Sequence, residues 1–213
     1  MKVTFVCLAN SNKEKGRCIA GIEIQDGKPR LVDGKPKWIR PVCNTLHGEI
    51  PSHLVWYVKL LDIIEINVTA QVPEGFQSEN TRFDTDSIQV IGSYPASSLP
   101  ALSFSTNDLI FGNNGRAVSD EERISPAHSL MLVKITAFKI FRNTYSENRN
   151  SQVRMRFTYR DSEYDFPVTD PVFVDRYRLD KDILANKNSI YITVSLGILF
   201  EGLHYKLVAA VFH

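Results

Sequence analysis

His204-Tyr205-Lys206-Leu207-Val208-Ala209-Ala210-Val211-Phe212-His213 reads as an apolar strand held inside a sheet, because a chain end frays unless something ties it down. At the other end, Val3, Phe5 and Cys7 alternate with Lys2, Thr4 and Val6, the period-two pattern of a strand. Most of the text between follows the same pattern. Residues 2–8 and 17–24 read as strands joined by a polar loop at 9–16. Asp26-Gly27 and Asp33-Gly34 are hairpin signals, since both residues of such a turn take positive φ. Trp38–Val42 is a short strand that Pro41 places at an edge or a strand end. Residues 60–72 and 87–91 continue the series.

The middle differs. Pro95, Pro100 and the run Gly112-Asn113-Asn114-Gly115 make residues 95–126 a connector, with short helical pieces near Leu99–Leu102 and 119–123. Strands resume at 129–141. Gln152–Tyr159 and 164–168 flank a polar hairpin loop at 160–163. Residues 170–184 carry no clean alternation and have room for a helix. Strands at 190–196 and 205–212 are separated by Gly197 and Gly202. The expectation is all-β: two tandem OB-like five-stranded β-barrels, residues 1–94 and 127–213, with a loop and short-helix connector at 95–126. A single ten-stranded sandwich would carry the same text.

Composition fits a folded domain: 213 residues, 43% hydrophobic, 23% charged, net charge +1. That balance carries no bulk mandate for nucleic acid or membrane, yet the charge is segregated. Nine lysines and arginines face four acids in residues 1–40, and seven acids face two cations in 41–90. Three cysteines, Cys7, Cys18 and Cys43, cannot all pair and sit in or beside apolar strands, as reduced thiols of a cytoplasmic protein do. The run 3–9 behind Lys2 is at the short limit for a signal-peptide core and turns polar at Asn10. No stretch is long enough for a transmembrane helix, and no membrane partner is expected.

Ordered blocks along the whole chain resemble the dual-OB-containing domain family: Leu8-Ala9-Asn10-Ser11, Gly16-Arg17-Cys18-Ile19-Ala20-Gly21, Trp38-Ile39-Arg40-Pro41-Val42, Leu61-Asp62-Ile63-Ile64-Glu65, Gln77-Ser78-Glu79-Asn80, Val168-Thr169-Asp170-Pro171, Val194-Ser195-Leu196-Gly197 and Tyr205-Lys206-Leu207-Val208-Ala209-Ala210. The resemblance implies two OB folds in tandem, a prokaryotic source, nucleic-acid binding and company with defence systems. Ile198-Leu199-Phe200 departs from the polar, proline-bearing turn expected at that point.

Candidate residues follow from charge and aromatic placement. Lys13, Lys15 and Arg17 flank the first loop, and Lys28, Arg30, Lys35 and Lys37 crowd two turns. On one rim they would neutralise phosphates; otherwise they are solvated turn cations. Trp38 and Arg40 share a strand face, suited to stacking a base beside a phosphate or to a core tryptophan covered by a cation. Arg154 and Arg156 share a face with Thr158, leaving Val153, Met155, Phe157 and Tyr159 for the core, with Lys134, Lys139, Arg142 and Arg149 nearby. This row is a phosphate track or an ordinary exposed face. Cys43, His47 and His53 lack a fourth ligand, and Asp84-Thr85-Asp86 reads as an acidic turn, so no metal and no cofactor are expected. No Gly-x-Ser-x-Gly elbow, phosphate-cradling loop or dinucleotide fingerprint occurs. Glu79, Asp170 and His204 are the residues that would form an acid–base set if distant strands met; Asp170 before Pro171 equally reads as a cap. The expectation is a non-catalytic module that binds nucleic acid, single strands rather than duplex. The alternative is a protein-interaction adaptor of a multi-component complex, anchored by aromatics such as Trp56 and Tyr57.

Overall fold

Alternation in the first residues builds β1 (Lys2–Lys13), which turns back through Glu14-Lys15 into β2 (Gly16–Gln25). The computed structural model describes residues 1–103, 108–122, 127–143 and 152–213. The chain forms two units, Met1–Phe104 with Pro126–Ser129, and Ser105–Ser125 with Leu130–His213. Arg149 and the end of the helical piece expected at 119–123 lie outside the described residues. Among the described residues no helix is long and apolar enough to cross a membrane.

In the first unit β2 pairs with β3 (Trp38–Val42), and β4 (Asp62–Gln71) pairs with both β1 and β5 (Asn80–Phe83). A parallel pairing of β3 with β5 closes the ring. The order 1-2-3-5-4-1 is that of a closed five-stranded barrel, with β6 (Gln89–Ser93) added on β4. Phe5, Cys7, Ile19, Ile39, Ile64, Ile66 and Phe83 fill the interior, and each fully buried Phe or Ile contributes roughly 1.5–3 kcal/mol. A register shift between Cys7 and Ala9 bends β1 as closure requires. The stretch 9–13, expected as loop, is strand. Its polar side chains are used inside the fold: Asn10 Nδ2 donates to the Val58 carbonyl at 2.8 Å, and Ser11 is buried. Asp26-Gly27 and Asp33-Gly34 take positive φ at both residues, as their turns demand.

The second unit repeats the plan. β8 (Leu130–Asn143) pairs with β9 (Gln152–Tyr159), which pairs with β10 (Ser162–Pro167), while β11 (Ile190–Phe200) joins β8 to β12 (Leu203–Phe212). A parallel bridge from Val168 to Val208 brings the third and fifth strands together. The β7 strand (Ala117–Ser119), drawn from residues expected as connector, adds to β12. In both units a helical segment falls between the third and fourth strands: one turn at Ser52–Val55 in the first and α1 (Pro171–Leu179) in the second. The hairpin expected as a four-residue loop at 160–163 is a two-residue turn, Arg160-Asp161, because Tyr159 pairs with Ser162. Gly197 does not end a strand either. β11 runs on through Ile198, Leu199 and Phe200 to a turn at Glu201-Gly202.

Gly21 lies across the ladder from Cys7, where β1 and β2 come close. A Cβ there would stand 1.9 Å from the Val6 carbonyl oxygen and 2.7 Å from the Phe5 ring. Gly21→Ala is expected to cost about 3 kcal/mol or more, because backbone rather than a flexible side chain blocks the methyl. Urea denaturation of the full chain measures this. An unchanged midpoint would contradict the close approach.

Candidate functional site

On β9, Val153, Met155, Phe157 and Tyr159 point into the core, leaving Arg154 and Arg156 on the outer face. Across the ladder Arg156 stands between Lys139 on β8 and Asp165 on β10, and Arg154 between Phe141 and Pro167. Asp165 is the centre of the group. Its carboxylate meets Arg154 Nε at 2.7 Å, Arg116 Nη2 at 3.2 Å and Arg156 Nη2 at 3.9 Å. Arg154 also donates to Gln152 Oε1 and the Asp165 carbonyl, and is only 6% exposed. It is the inner strut. The Arg116 and Arg156 side chains are 62% and 60% exposed, and the Arg156 guanidinium lies 5.6 Å from the centre of the Phe141 ring. Among the described residues, Asp165 and, two positions before it on β10, Glu163 share this face with the arginines and Lys139. The Arg116 and Arg156 ends of these pairs are exposed, and surface ion pairs are worth only about 0–1 kcal/mol, so both guanidiniums can turn to an incoming anion while Arg154 keeps Asp165.

Arg116 was invisible as a site residue because it comes from the expected connector. Lys206 on β12 brings it there. The Lys206 ammonium is buried and donates to the Ile110 carbonyl, the Asn113 carbonyl and Asn113 Oδ1, each at 2.7 Å, and its backbone N–H donates to the Arg116 carbonyl at 2.9 Å. The Tyr164 and Phe166 rings lie 5.8 and 5.9 Å from the ammonium. Burial pulls the Lys206 pKa down from 10.5 to about 8.

Of the cations expected as phosphate contacts in the first unit, Arg30, Lys37 and Arg40 hold acids. Arg40 is 1% exposed and its Nη2 meets Glu79 Oε1 at 3.2 Å, so it does not stand beside Trp38 on an open face. Trp38 is half-buried, Lys15 is exposed and Arg17 is half-buried. Lys13 is half-buried too, and burial lowers its pKa. Buried Glu23 holds both Arg30 and Lys37 at 2.7 Å, and Lys2 meets Glu65 at 2.8 Å.

Glu79, Asp170 and His204 each hold separate partners. Glu79 takes Arg40 and the Ser129 hydroxyl. Asp170 caps α1: Oδ1 accepts from the Phe173 N–H at 3.0 Å and Oδ2 from the Val211 N–H at 3.2 Å. Burial raises its pKa against the pull of those N–H groups. His204 Nδ1 meets the Gly197 carbonyl at 2.9 Å, which puts the proton on Nδ1, and Nε2 lies 3.7 Å from Asp120. Among the described residues no three His, Cys, Asp or Glu side chains are grouped so as to hold a metal ion. Burial raises the Cys43 thiol pKa.

A family model described as Dual OB-containing domain matches residues 3–211. No curated protein matches the chain. Among solved structures, one described as "Structure and Conformational Change of a Replication Protein A Heterotrimer Bound to ssDNA" aligns over 99% of this chain and 49% of its own, at 8% identity and a TM-score of 0.37. The present chain thus spans about half the length of that protein.

Asp170→Ala removes a helix cap worth ~1 kcal/mol and leaves the buried Val211 N–H without its acceptor, a further ~1–3 kcal/mol. The expected loss is about 2–4 kcal/mol by chemical denaturation. Asp170→Asn keeps the cap oxygen but turns an amide toward Val211, so it should recover only part. Full stability in Asp170→Ala would show that the carboxylate does not hold α1 to β12.

Proposed function

The chain belongs to the dual OB-containing domain family, and on that footing we propose that it is a non-catalytic nucleic-acid-binding module that takes single strands across the outer face of β9 and β10. The observation that carries the reading is the one carboxylate, Asp165, shared by Arg116, Arg154 and Arg156. OB barrels use the face of their second and third strands for oligonucleotides, and here those strands are β9 and β10. Phe141 beneath Arg156 adds a π-face for a base, and base–aromatic stacking is worth ~1–3 kcal/mol. A strand face with a ring and flanking guanidiniums suits unstacked bases better than a duplex. Glu79 and Asp170 are engaged in holding their barrels, which supports binding rather than catalysis, with no cofactor required. A cytoplasmic setting is what the three unpaired cysteines suggest, and work within a prokaryotic defence system is what the family resemblance adds.

A second reading is an adaptor that docks a protein. The β11–β12 hairpin exposes Ile198, Leu199, Phe200 and Tyr205, with the two rings 6.4 Å apart, and contiguous exposed apolar surface marks an interaction site. Asp120 and Glu122 follow β7, whose Ser119 pairs with Leu203, so the hairpin's flank is acidic and suits a basic partner. In the first unit Trp56 and Tyr57 are exposed and meet edge to face at 5.9 Å. A stoichiometric protein partner retained after nuclease treatment would favour this reading.

Fluorescence anisotropy with labelled single-stranded DNA and RNA at low salt decides between them. Affinity should fall steeply with salt, and Arg116→Ala and Arg156→Ala should each weaken binding several-fold and flatten the log–log salt slope by about 0.7. Folded protein that binds neither strand at tens of micromolar removes the nucleic-acid reading.

A further inference from the structure

Beyond Lys139 the basic face does not stop. Residues 130–135 of β8 pair with β11, but among the described residues nothing pairs with that same edge of β8 further on. A groove of about 450 Å³ runs there, between residues 137–140 and the loop 181–188 that follows α1. Ala137 takes a positive φ of 47° at the register shift in β8, and the Tyr177 hydroxyl donates to the Ile140 carbonyl at 3.2 Å, holding α1 against this edge. The loop is itself a built turn: the Ala185 N–H donates to the Asp182 carbonyl at 2.8 Å and the Lys187 N–H to the Leu184 carbonyl at 3.0 Å. Lys139, Lys181 and Lys187 line the groove against one acid, Asp182. All three lysines are exposed. One N–H of Lys181 is spent on the Tyr177 carbonyl at 2.8 Å, with the ammonium 4.2 Å from the Tyr177 ring. This fixes the ammonium beside the groove while leaving two donors.

We propose that this groove is a second phosphate subsite of the same binding surface, in which Lys139, Lys181 and Lys187 take the backbone of a nucleic-acid strand that has crossed the Asp165 arginine face. The inference rests on the nucleic-acid reading above. Lys139 is the link, since it lines the groove and stands directly across the ladder from Arg156. Each segment, with Lys139 shared between them, carries more cations than acids, the complement of a polyanion.

The test is anisotropy on the full chain with single-stranded oligonucleotides from about 4 to about 16 nucleotides, the span of OB site sizes, comparing wild type with the double variant Lys181→Ala/Lys187→Ala. Long oligonucleotides should bind the variant several-fold more weakly, with the salt slope flattened by up to about 1.4, while the shortest bind both proteins alike. Equal affinity and slope at every length would overturn the subsite and leave the arginine face standing. Equal weakening at every length, the shortest included, would mark a general loss of charge and also overturn it. Wild type that binds no oligonucleotide would take down both the subsite and the reading it rests on.

Discussion

Each unit depends on one junction, where the third strand meets the fifth in parallel. Antiparallel hairpins form locally, but this pairing joins segments far apart in the chain and must be held by something specific. In the first unit the Arg40 N–H donates to the Glu79 carbonyl at 2.9 Å, and the side chains of the same two residues form a buried ion pair. In the second, Thr169 donates to the Val208 carbonyl at 2.9 Å and Asp170 accepts from Val211. Both junctions are thus pinned by a buried acid. The Arg40–Glu79 ion pair adds little against an apolar substitute, yet removing one partner of such a pair costs ~3–5 kcal/mol. These acids define the register of closure.

Bringing the third and fifth strands together turns the apolar face of every strand inward and leaves charge to be settled outside. The two units settle it differently. In the first, Glu23 and Glu65 answer Arg30, Lys37 and Lys2, while Lys15 stays exposed. In the second, one aspartate is shared among three arginines, and two of those side chains are mostly in solvent. A near-zero net charge for the whole chain hides this local surplus, and local surplus is what concentrates a polyanion. The Lys206 ammonium belongs to the same arrangement. By holding residues 110–113 it sets Arg116 at the rim of the second barrel.

Strand text was legible because its cause is local. Period-two alternation, Asp-Gly turns and a carboxylate before Pro171 each act within a few residues. That the strands make two five-stranded sets was implied by the ordered blocks of family resemblance, since the strand text alone fits a single ten-stranded sandwich equally well. Partners distant in sequence left no trace. Nothing in Trp38-Ile39-Arg40 announces that Arg40 is sealed against Glu79. Arg154 reads as a surface residue until Asp165 and Gln152 are placed around it. Polar letters at Asn10 and Ser11 read as loop because an amide that serves an interior carbonyl has the same composition as one that serves water. Arg116 was missed for the same reason. Its meaning depends on Lys206, which lies 90 positions away.

The most direct measurement is a nuclear magnetic resonance titration of the labelled full chain with a single-stranded oligonucleotide, following backbone amides and arginine side chains. The largest perturbations are expected on Arg116, residues 139–141, Arg154, Arg156 and Asp165, with Arg40 and Glu79 unmoved. Perturbations confined to Lys13, Lys15, Arg17 and Trp38 in the first unit, or no perturbation with folded protein, would contradict this placement.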